Sequence, residues 1–297
     1  MKASTIVIVN PAAGGGLARK SAPAVEDYLK SQGLRVELSE SKNPEDLRDR
    51  AARAAASGFQ HVVALGGDGT FQKVVEGILG TKAVAGFFPA GNGNDMARAL
   101  GIPRDPVRAA DAFLHSRPRA IDMVRARLSG GRHAHYICAG GMGLDAEAAY
   151  LANTRFKDLP GASRYLAGAL RSFFDGAAFD LSAEIDGTKW FGRAMLAVVA
   201  NAPWYGSGFC IAPRAEVDDG WLDVVLVREV TWTRLFEAVP ILLTSGDLQF
   251  EEVERFRCWR LKLETDRPVK VHGDGELLGE SPAEFEILPR AVRVMIP

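Results

Sequence analysis

The residues of this chain best suited to chemistry are carboxylates set among glycines. Gly66-Gly67-Asp68-Gly69-Thr70 follows the apolar run 62–65 and leads into Phe71-Gln72-Lys73-Val74-Val75-Glu76, an order that reads as strand, turn and helix. Glycines let a backbone approach a ligand and aim N–H groups at it, and a helix start adds partial positive charge, so such a turn cradles phosphate. Asp68 inside the turn would repel phosphate unless a cation stands between them, and Mg²⁺ is a hard ion that carboxylates and phosphate oxygens share. A second turn, Pro89-Ala90-Gly91-Asn92-Gly93-Asn94-Asp95, follows the apolar run 84–88 and opens a helix from Met96, where Asp95 is either a ligand or an N-cap. Asn10-Pro11-Ala12-Ala13-Gly14-Gly15-Gly16 behind residues 5–9 makes a third. One glycine turn is often only a tight corner; three after three apolar strands point to bound phosphates.

The second half offers another acid. Val269-Lys270-Val271-His272-Gly273-Asp274-Gly275-Glu276 reads as a strand ending in a glycine turn, either an ordinary hairpin or a mount for the Glu276 carboxylate. Transfer of a phosphoryl group to an alcohol gains from a base that takes the hydroxyl proton, typically about 10²–10⁴-fold. His272, two residues before Asp274, is placed to orient such a site. His133 and His135 share a strand face without a third ligand and read as a surface pair.

Elements must carry these residues to one place. In the first half short apolar runs at 5–9, 34–38, 61–65 and 84–88 alternate with helical stretches at about 17–31 and 45–56, which implies a parallel sheet covered on both faces. Ligands in such sheets bind at the carboxyl ends of the strands, where the glycine turns fall. The second half reads as strands at 125–128, 134–138, 181–185, 189–199, 221–227, 260–265, 269–272, 285–288 and 292–296. Helices there are expected at 163–174 and from 235, the latter disturbed by Pro240. Few helices among many strands predict an antiparallel β-sandwich or barrel. The alternation stops near Asp122, giving domains 1–122 and 123–297.

Composition sets bounds on function. The chain has 297 residues, with 36 Lys+Arg against 37 Asp+Glu and a net charge of −1, so a dedicated nucleic-acid binder is disfavoured. Cys138, Cys210 and Cys258 are three and far apart, which fits reduced thiols in a cytoplasmic protein. The start, Met1-Lys2-Ala3-Ser4-Thr5, reads as too short for a secretory leader, and no apolar run approaches the 18 or so residues a membrane span needs. Membrane contact is therefore expected to be peripheral. Eight arginines between Arg98 and Arg132 against three acids offer one face for it, and the apolar stretch 165–174 reads equally as an acyl-chain lining or a core helix.

The motifs together resemble the diacylglycerol-kinase catalytic-domain family, which includes bacterial lipid kinases, sphingosine kinases and ceramide kinases. Those that carry the resemblance in the first half are Asn10-Pro11 with its glycines, Gly66-Gly67-Asp68-Gly69-Thr70 and Gly91-x-Gly-Asn94-Asp95-x-Ala97-Arg98. Arg119-Ala120-Ile121-Asp122, Ala139-Gly140-Gly141-Met142-Gly143-Leu144-Asp145-Ala146, Tyr205-Gly206-Ser207-Gly208, the segment 212–223 and Asp274-Gly275-Glu276 continue it. The glycine–aspartate loop alone is shared with NAD kinases and phosphofructokinases. The ordered set is specific to the lipid kinases and spans nearly the whole chain.

This resemblance implies a fold, a Rossmann-like and phosphofructokinase-like α/β domain followed by a mainly antiparallel β-sandwich, and a set of roles. ATP would be held by Asn10, Pro11, Ala12, Ala13, Gly14, Gly66, Gly67, Asp68, Gly69, Thr70, Phe71 and Gln72, with Ser41 and Asn92 assisting. Asp68, Asp95 and Asp122 match a water-linked network around Mg²⁺, while Glu216, Asp219 and the Trp221 carbonyl match a second, structural Mg²⁺ site. Glu276, with Asp274 beside it, matches the catalytic base. Two departures are visible: Asn92 where the family usually has Thr, and Gln72-Lys73 where it usually has Asn-Glu. The expected activity is ATP- and Mg²⁺-dependent phosphorylation of a lipid hydroxyl, most simply that of diacylglycerol. A sphingoid base, ceramide or phosphatidylglycerol are alternative acceptors. A soluble acceptor, as in NAD kinases, and a nucleotide-binding regulator without catalysis stay open. The expected partners are a lipid at the membrane surface and a second copy in a homodimer.

Overall fold

A computed structural model describes residues 4–161, 163–176 and 178–297; the Met1-Lys2-Ala3 start considered for a leader lies outside them. The chain divides into two compact units, one made of the residues up to Ile121 together with Arg290–Pro297, the other of Asp122–Pro289. The sequence boundary near Asp122 is close to the first crossing. The last eight residues differ, because the chain returns to the first unit at its end instead of staying within 123–297.

The first unit alternates β1 (Ser4–Val9), α1 (Ala13–Ser31), β2 (Arg35–Glu40), α2 (Pro44–Ala56), β3 (His61–Gly66), α3 (Asp68–Ile78), β4 (Val84–Pro89), α4 (Asp95–Ala99) and α5 (Pro106–His115). Its sheet is parallel in the order β2-β1-β3-β4. The interior strands read as unbroken apolar runs because both faces are covered: Val7, Ile8, Val9, Val62, Val63, Ala64 and Leu65 have no exposed surface. Helix starts follow local chemistry. Asn43 accepts the Asp46 N–H ahead of Pro44, and Asp105 accepts the Val107 and Arg108 N–H groups ahead of Pro106. In α1 the three residues Gly14, Gly15 and Gly16 all have positive φ, so right-handed helix begins at Leu17.

The chain enters the second unit within β5 (Arg117–Leu128) and continues through β6 (His133–Tyr136), β7 (Ala139–Gly143), α6 (Leu144–Thr154), α7 (Ser163–Phe174), β8 (Phe179–Ile185) and β9 (Thr188–Ala200). It is completed by β10 (Trp204–Tyr205), β11 (Phe209–Cys210), β12 (Leu222–Arg228), α8 (Trp232–Leu242), β13 (Val253–Cys258), β14 (Arg260–Thr265), β15 (Lys270–Gly273), β16 (Glu276–Glu280) and β17 (Ala283–Ile296). Its strands pair antiparallel, β9 joining β7, β8 and β12 and β14 joining β8 and β17. One core lies among Tyr136, Phe179, Val199, Leu261 and Phe285, and a smaller one among Val198, Ile211 and Val225. The end of β17 leaves this unit and pairs in parallel with β4 through Arg293 and Val294.

Several elements differ from their sequence expectation. Helix α6 and strands β13 and β16 were not anticipated: α6 is alanine-rich with a weak apolar face, and β13 and β16 are half-exposed and rich in charge. Strand β5 begins at Arg117 and β17 runs unbroken to Ile296, both carrying charged residues at exposed positions that hid them. Helix α8 starts earlier, at Trp232, capped by the Thr231 side chain, and continues through Pro240 to Leu242. All three cysteines are free and buried.

Candidate active site

The three glycine loops of the first unit close on one another through backbone. Asn10 donates its N–H to the Leu65 carbonyl at 3.0 Å and its side-chain amide to the Thr70 hydroxyl at 3.1 Å, tying the first loop to the second. Ala90 donates to the Gly66 carbonyl at 2.6 Å, tying the second to the third. A Cβ on Gly14 would stand 2.1 Å from the Ala90 carbonyl oxygen, and one on Gly91 would stand 2.5 Å from the Gly67 Cα. Neither contact is tolerable, so glycine at these positions is what lets the loops meet. The cradle lies at the carboxyl ends of β1, β3 and β4, where the chain order reverses between β1 and β3.

Around the cradle, α3 starts at Asp68, and its N-cap Gly67 has no side chain to cap the first turn, so the partial positive charge of the helix start faces the loop. Thr70, Phe71 and Gln72 are buried, with Phe71 stacked on Phe87 at 4.5 Å, so the side chains of this stretch are turned into the unit and its backbone is what faces the loops. Ser41 is also turned inward, its hydroxyl donating to the Val9 carbonyl at 3.1 Å. Asn92 is exposed at the tip of the third loop, and Lys73 pairs with Glu76 at 3.8 Å. That loop is closed by Asn94, which adopts φ 55°, accepts the Gly91 N–H at 3.0 Å and donates to the Gly91 carbonyl at 2.9 Å. Asn94 is therefore the N-cap of α4 and Asp95 its first residue, which corrects the N-cap expectation for Asp95.

Asp68 accepts the Met96 N–H at 3.0 Å, and burial pushes its carboxyl above the ordinary range despite opposing donation from the Met96, Asp95 and Asn94 amides. A carboxylate whose charge is disfavoured beside the buried Asp95 fits the presence of a counter-cation. Asp122, in the second unit, is buried and accepts the Gly220 N–H at 2.7 Å. The Glu216, Asp219 and Trp221 set is different. Asp219 accepts the Trp221 N–H at 3.0 Å and its other oxygen pairs with Arg257, which also reaches Asp223 at 3.7 Å, while Glu216 is exposed. A guanidinium thus stands where an ion would bind, and these residues as placed do not fit a metal. Among the described residues no three His, Cys, Asp or Glu side chains converge to hold one.

The second unit builds its polar centre on the β15–β16 hairpin. Asp274 (φ 49°) and Gly275 (φ 81°) form a two-residue turn between the paired Gly273 and Glu276, so the hairpin expectation for this motif holds. The turn does more than reverse the chain. The Asp274 carboxylate accepts N–H groups from Ile137 and Cys138 at 2.9 Å and from Ala139 at 3.3 Å, and this triple acceptance fixes the turn that presents the exposed Glu276. Asp274 is thereby an anchor. Helix α6 holds the same hairpin from its own side: Asp145 meets His272 Nε2 at 2.9 Å, Glu147 meets Lys270 at 2.6 Å, and Asn153 donates to the Gly275 carbonyl at 2.9 Å. His272 and Asp145 are both buried, with the Tyr205 ring nearly parallel to the imidazole at 6.2 Å.

Sequence reasoning did not find Asn153, Glu147 or Arg257, and it treated Asp145 only as part of a motif. Asn153 and Gly275 stand 122 positions apart, and that separation carries no spacing signal. Only Asn94 had a local one, since asparagine is among the few residues that adopt left-handed backbone readily.

Comparison with known proteins places these features. The diacylglycerol kinase catalytic domain model matches residues 4–126, and the YegS C-terminal NAD kinase beta sandwich-like domain model matches residues 139–296. The diacylglycerol kinase of Mycobacterium tuberculosis is 29% identical over 292 residues, covering 98% of this chain and 94% of its own. A probable lipid kinase, YegS-like, of Pseudomonas putida is 30% identical over 275 residues, covering 91% and 88%. A solved structure of a diacylglycerol kinase from Bacillus anthracis str. Sterne shares the fold, with a TM-score of 0.76 at 20% identity, covering 100% of this chain and 97% of that one. With the glycine cradle in one unit and the anchored Glu276 hairpin in the other, the chain belongs to the diacylglycerol kinase family and is a lipid kinase.

Proposed function

We propose that this lipid kinase transfers the γ-phosphoryl group of ATP to the hydroxyl of diacylglycerol, giving phosphatidic acid for phospholipid synthesis. The backbone-to-backbone closure of the Asn10–Gly14, Gly66–Thr70 and Gly91–Asp95 loops is the observation that carries phosphate binding. The relatives named diacylglycerol kinase, 29% identical in Mycobacterium tuberculosis and 26% in Bacillus subtilis, each across 98% of this chain, support the acceptor.

Glu276 takes the acceptor hydroxyl's proton as the new O–P bond forms and the bond to ADP breaks, while Asp274 keeps the hairpin still. The first-turn amides of α3 and the loop amides donate to the phosphates. Mg²⁺ would supply charge neutralisation to the phosphates; Asp68 and Asp95 of the first unit would hold it through water, Asp122 is added to them by resemblance alone, and no step is assigned to the Glu216, Asp219 and Trp221 set. Such an enzyme works in the cytoplasm, where ATP is, and meets the bilayer at its surface. A homodimer is part of the proposal from resemblance alone. The test is a mixed-micelle panel with labelled ATP, in which diacylglycerol is expected to take the label. Label appearing instead in a sphingoid base, ceramide or phosphatidylglycerol would overturn the acceptor and keep the kinase.

A further inference from the structure

Helices α7 and α8 are apolar without being core. In α7 only Gly168 and Ser172 are buried, and in α8 no residue is. The stretch 165–174 is therefore not a core helix. The Phe173 and Phe174 rings each lie 4.1 Å from Trp232, and Phe236 lies 6.2 Å beyond it. Phe174 is 71% exposed and Phe236 61% exposed, and Leu243 extends the face. Trp232, Phe236, Pro240 and Leu243 recur at helical spacing, so they form one stripe. Clustered exposed aromatics of this kind mark an interaction surface, since a core gains nothing from them.

We propose that this aromatic face seats the enzyme on an anionic lipid bilayer. The inference rests on the lipid-kinase assignment, which requires the protein to reach a substrate dissolved in a membrane. Among the described residues no helix is long and apolar enough to cross one. Charge selects the occupant. Residues 155–175 carry Arg155, Lys157, Arg164 and Arg171 against Asp158 and Asp175, a net of +2, which leaves −3 for the remainder of a chain whose total is −1. A second copy docked on the same face would set one positive segment against another; an anionic surface attracts it. Phenylalanine and tryptophan beside arginine is also the composition that inserts shallowly at a lipid interface. The arginine stretch 98–132 is a weaker candidate, because none of the large hydrophobic residues exposed among the described residues lies in it, and Arg104, Arg125 and Arg127 are held by Gly93, Glu286 and Glu284, as Arg171 is by Asp175.

The test compares the full-length chain with its Phe174→Ser/Phe236→Ser variant in co-sedimentation with vesicles of phosphatidylcholine, alone or in equimolar mixture with phosphatidylglycerol. The expected result is binding by the parent that strengthens with phosphatidylglycerol, and a loss of about tenfold or more in the variant. Transfer to a short-chain diacylglycerol dissolved as monomer should be equal in both, which also shows that the variant folds. A Phe236→Trp variant should keep vesicle binding, with its emission quenched by brominated lipid. Equal vesicle binding by parent and double variant overturns the proposal. So does a variant that merely elutes as a smaller species, which would make the occupant a second copy. Vesicle binding by a parent that phosphorylates no lipid would leave the face standing and remove the assigned function.

Discussion

The two units fix their polar groups by opposite means. In the first, the cradle exists because side chains are absent: Gly14 meets the Ala90 carbonyl and Gly91 meets Gly67 at distances no Cβ permits. In the second, Glu276 is presented because side chains are present, with Asp274 accepting three amides and α6 reaching the hairpin through Asp145, Glu147 and Asn153. Backbone loops suit a ligand made of phosphate, which every N–H can serve. A single carboxylate that must receive one proton needs a stiff mount instead. The difference teaches that the first unit should fail all at once when a methyl group is added, and the second by degrees when a tether is cut.

Gly91→Ala should have the largest effect, since its Cβ would meet the backbone of Gly67 with no flexible end to yield. ATP affinity and transfer should both fall by about 10²-fold or more, read by calorimetry and by labelled-ATP assay. Gly15→Ala sharpens the point. It has no atom within 4 Å of a new Cβ but a φ of 63°, so it should cost only the left-handed strain of about 1–2 kcal/mol and leave ATP affinity within a few-fold. In the second unit, Asp274→Ala should lower kcat by about 10–10²-fold at unchanged ATP affinity, with Asp274→Asn between it and the parent because one acceptor oxygen remains. Asn153→Ala removes a single hydrogen bond and should lower kcat by about 2–10-fold.

The smallest effect concerns Asp223, whose carboxyl burial pushes up from 3.8 to about 6 against the opposing pull of Arg257. An acid raised on folding stabilises below its unfolded pKa and loses that contribution as pH rises through the folded one. The parent should thus lose a small part of its stability between pH 4 and pH 7 from this group, since Arg257 and solvent both offset the cost of the charge, and Asp223→Asn should flatten the melting-temperature profile across that window. Because Arg257 already pairs with Asp219, chelation should leave the melting temperature of the ligand-free protein unchanged.

Much of the first unit was legible because its physics is local. Apolar runs of 61–65 and 84–88 ending in glycine turns announce buried parallel strands, and the strands lie where those runs do. The Gly14 to Gly16 turn and the helix start at Leu17 were readable for the same reason. The second unit was legible as a class and less so in detail. Half-exposed strands such as β13 alternate charge with apolar residues over too short a length to stand out, and α6 is so rich in alanine that neither face declares itself. The Asp274 hairpin was visible as a turn. Its anchoring role was not, because the amides it holds belong to residues 137–139, far back along the chain. Arg257 against Asp219 was hidden likewise, so one acid of a set that resembles a metal site in sequence is paired with a guanidinium in space.

The division of labour between the units is tested most directly by Glu276→Gln, with ATP binding and phosphoryl transfer measured on the same preparation. Unchanged ATP affinity together with a fall of about 10²–10⁴-fold in label transferred to diacylglycerol is the expected result. Turnover within a few-fold of the parent, or loss of ATP binding alongside activity, would contradict a base mounted on the second unit and a nucleotide held by the first.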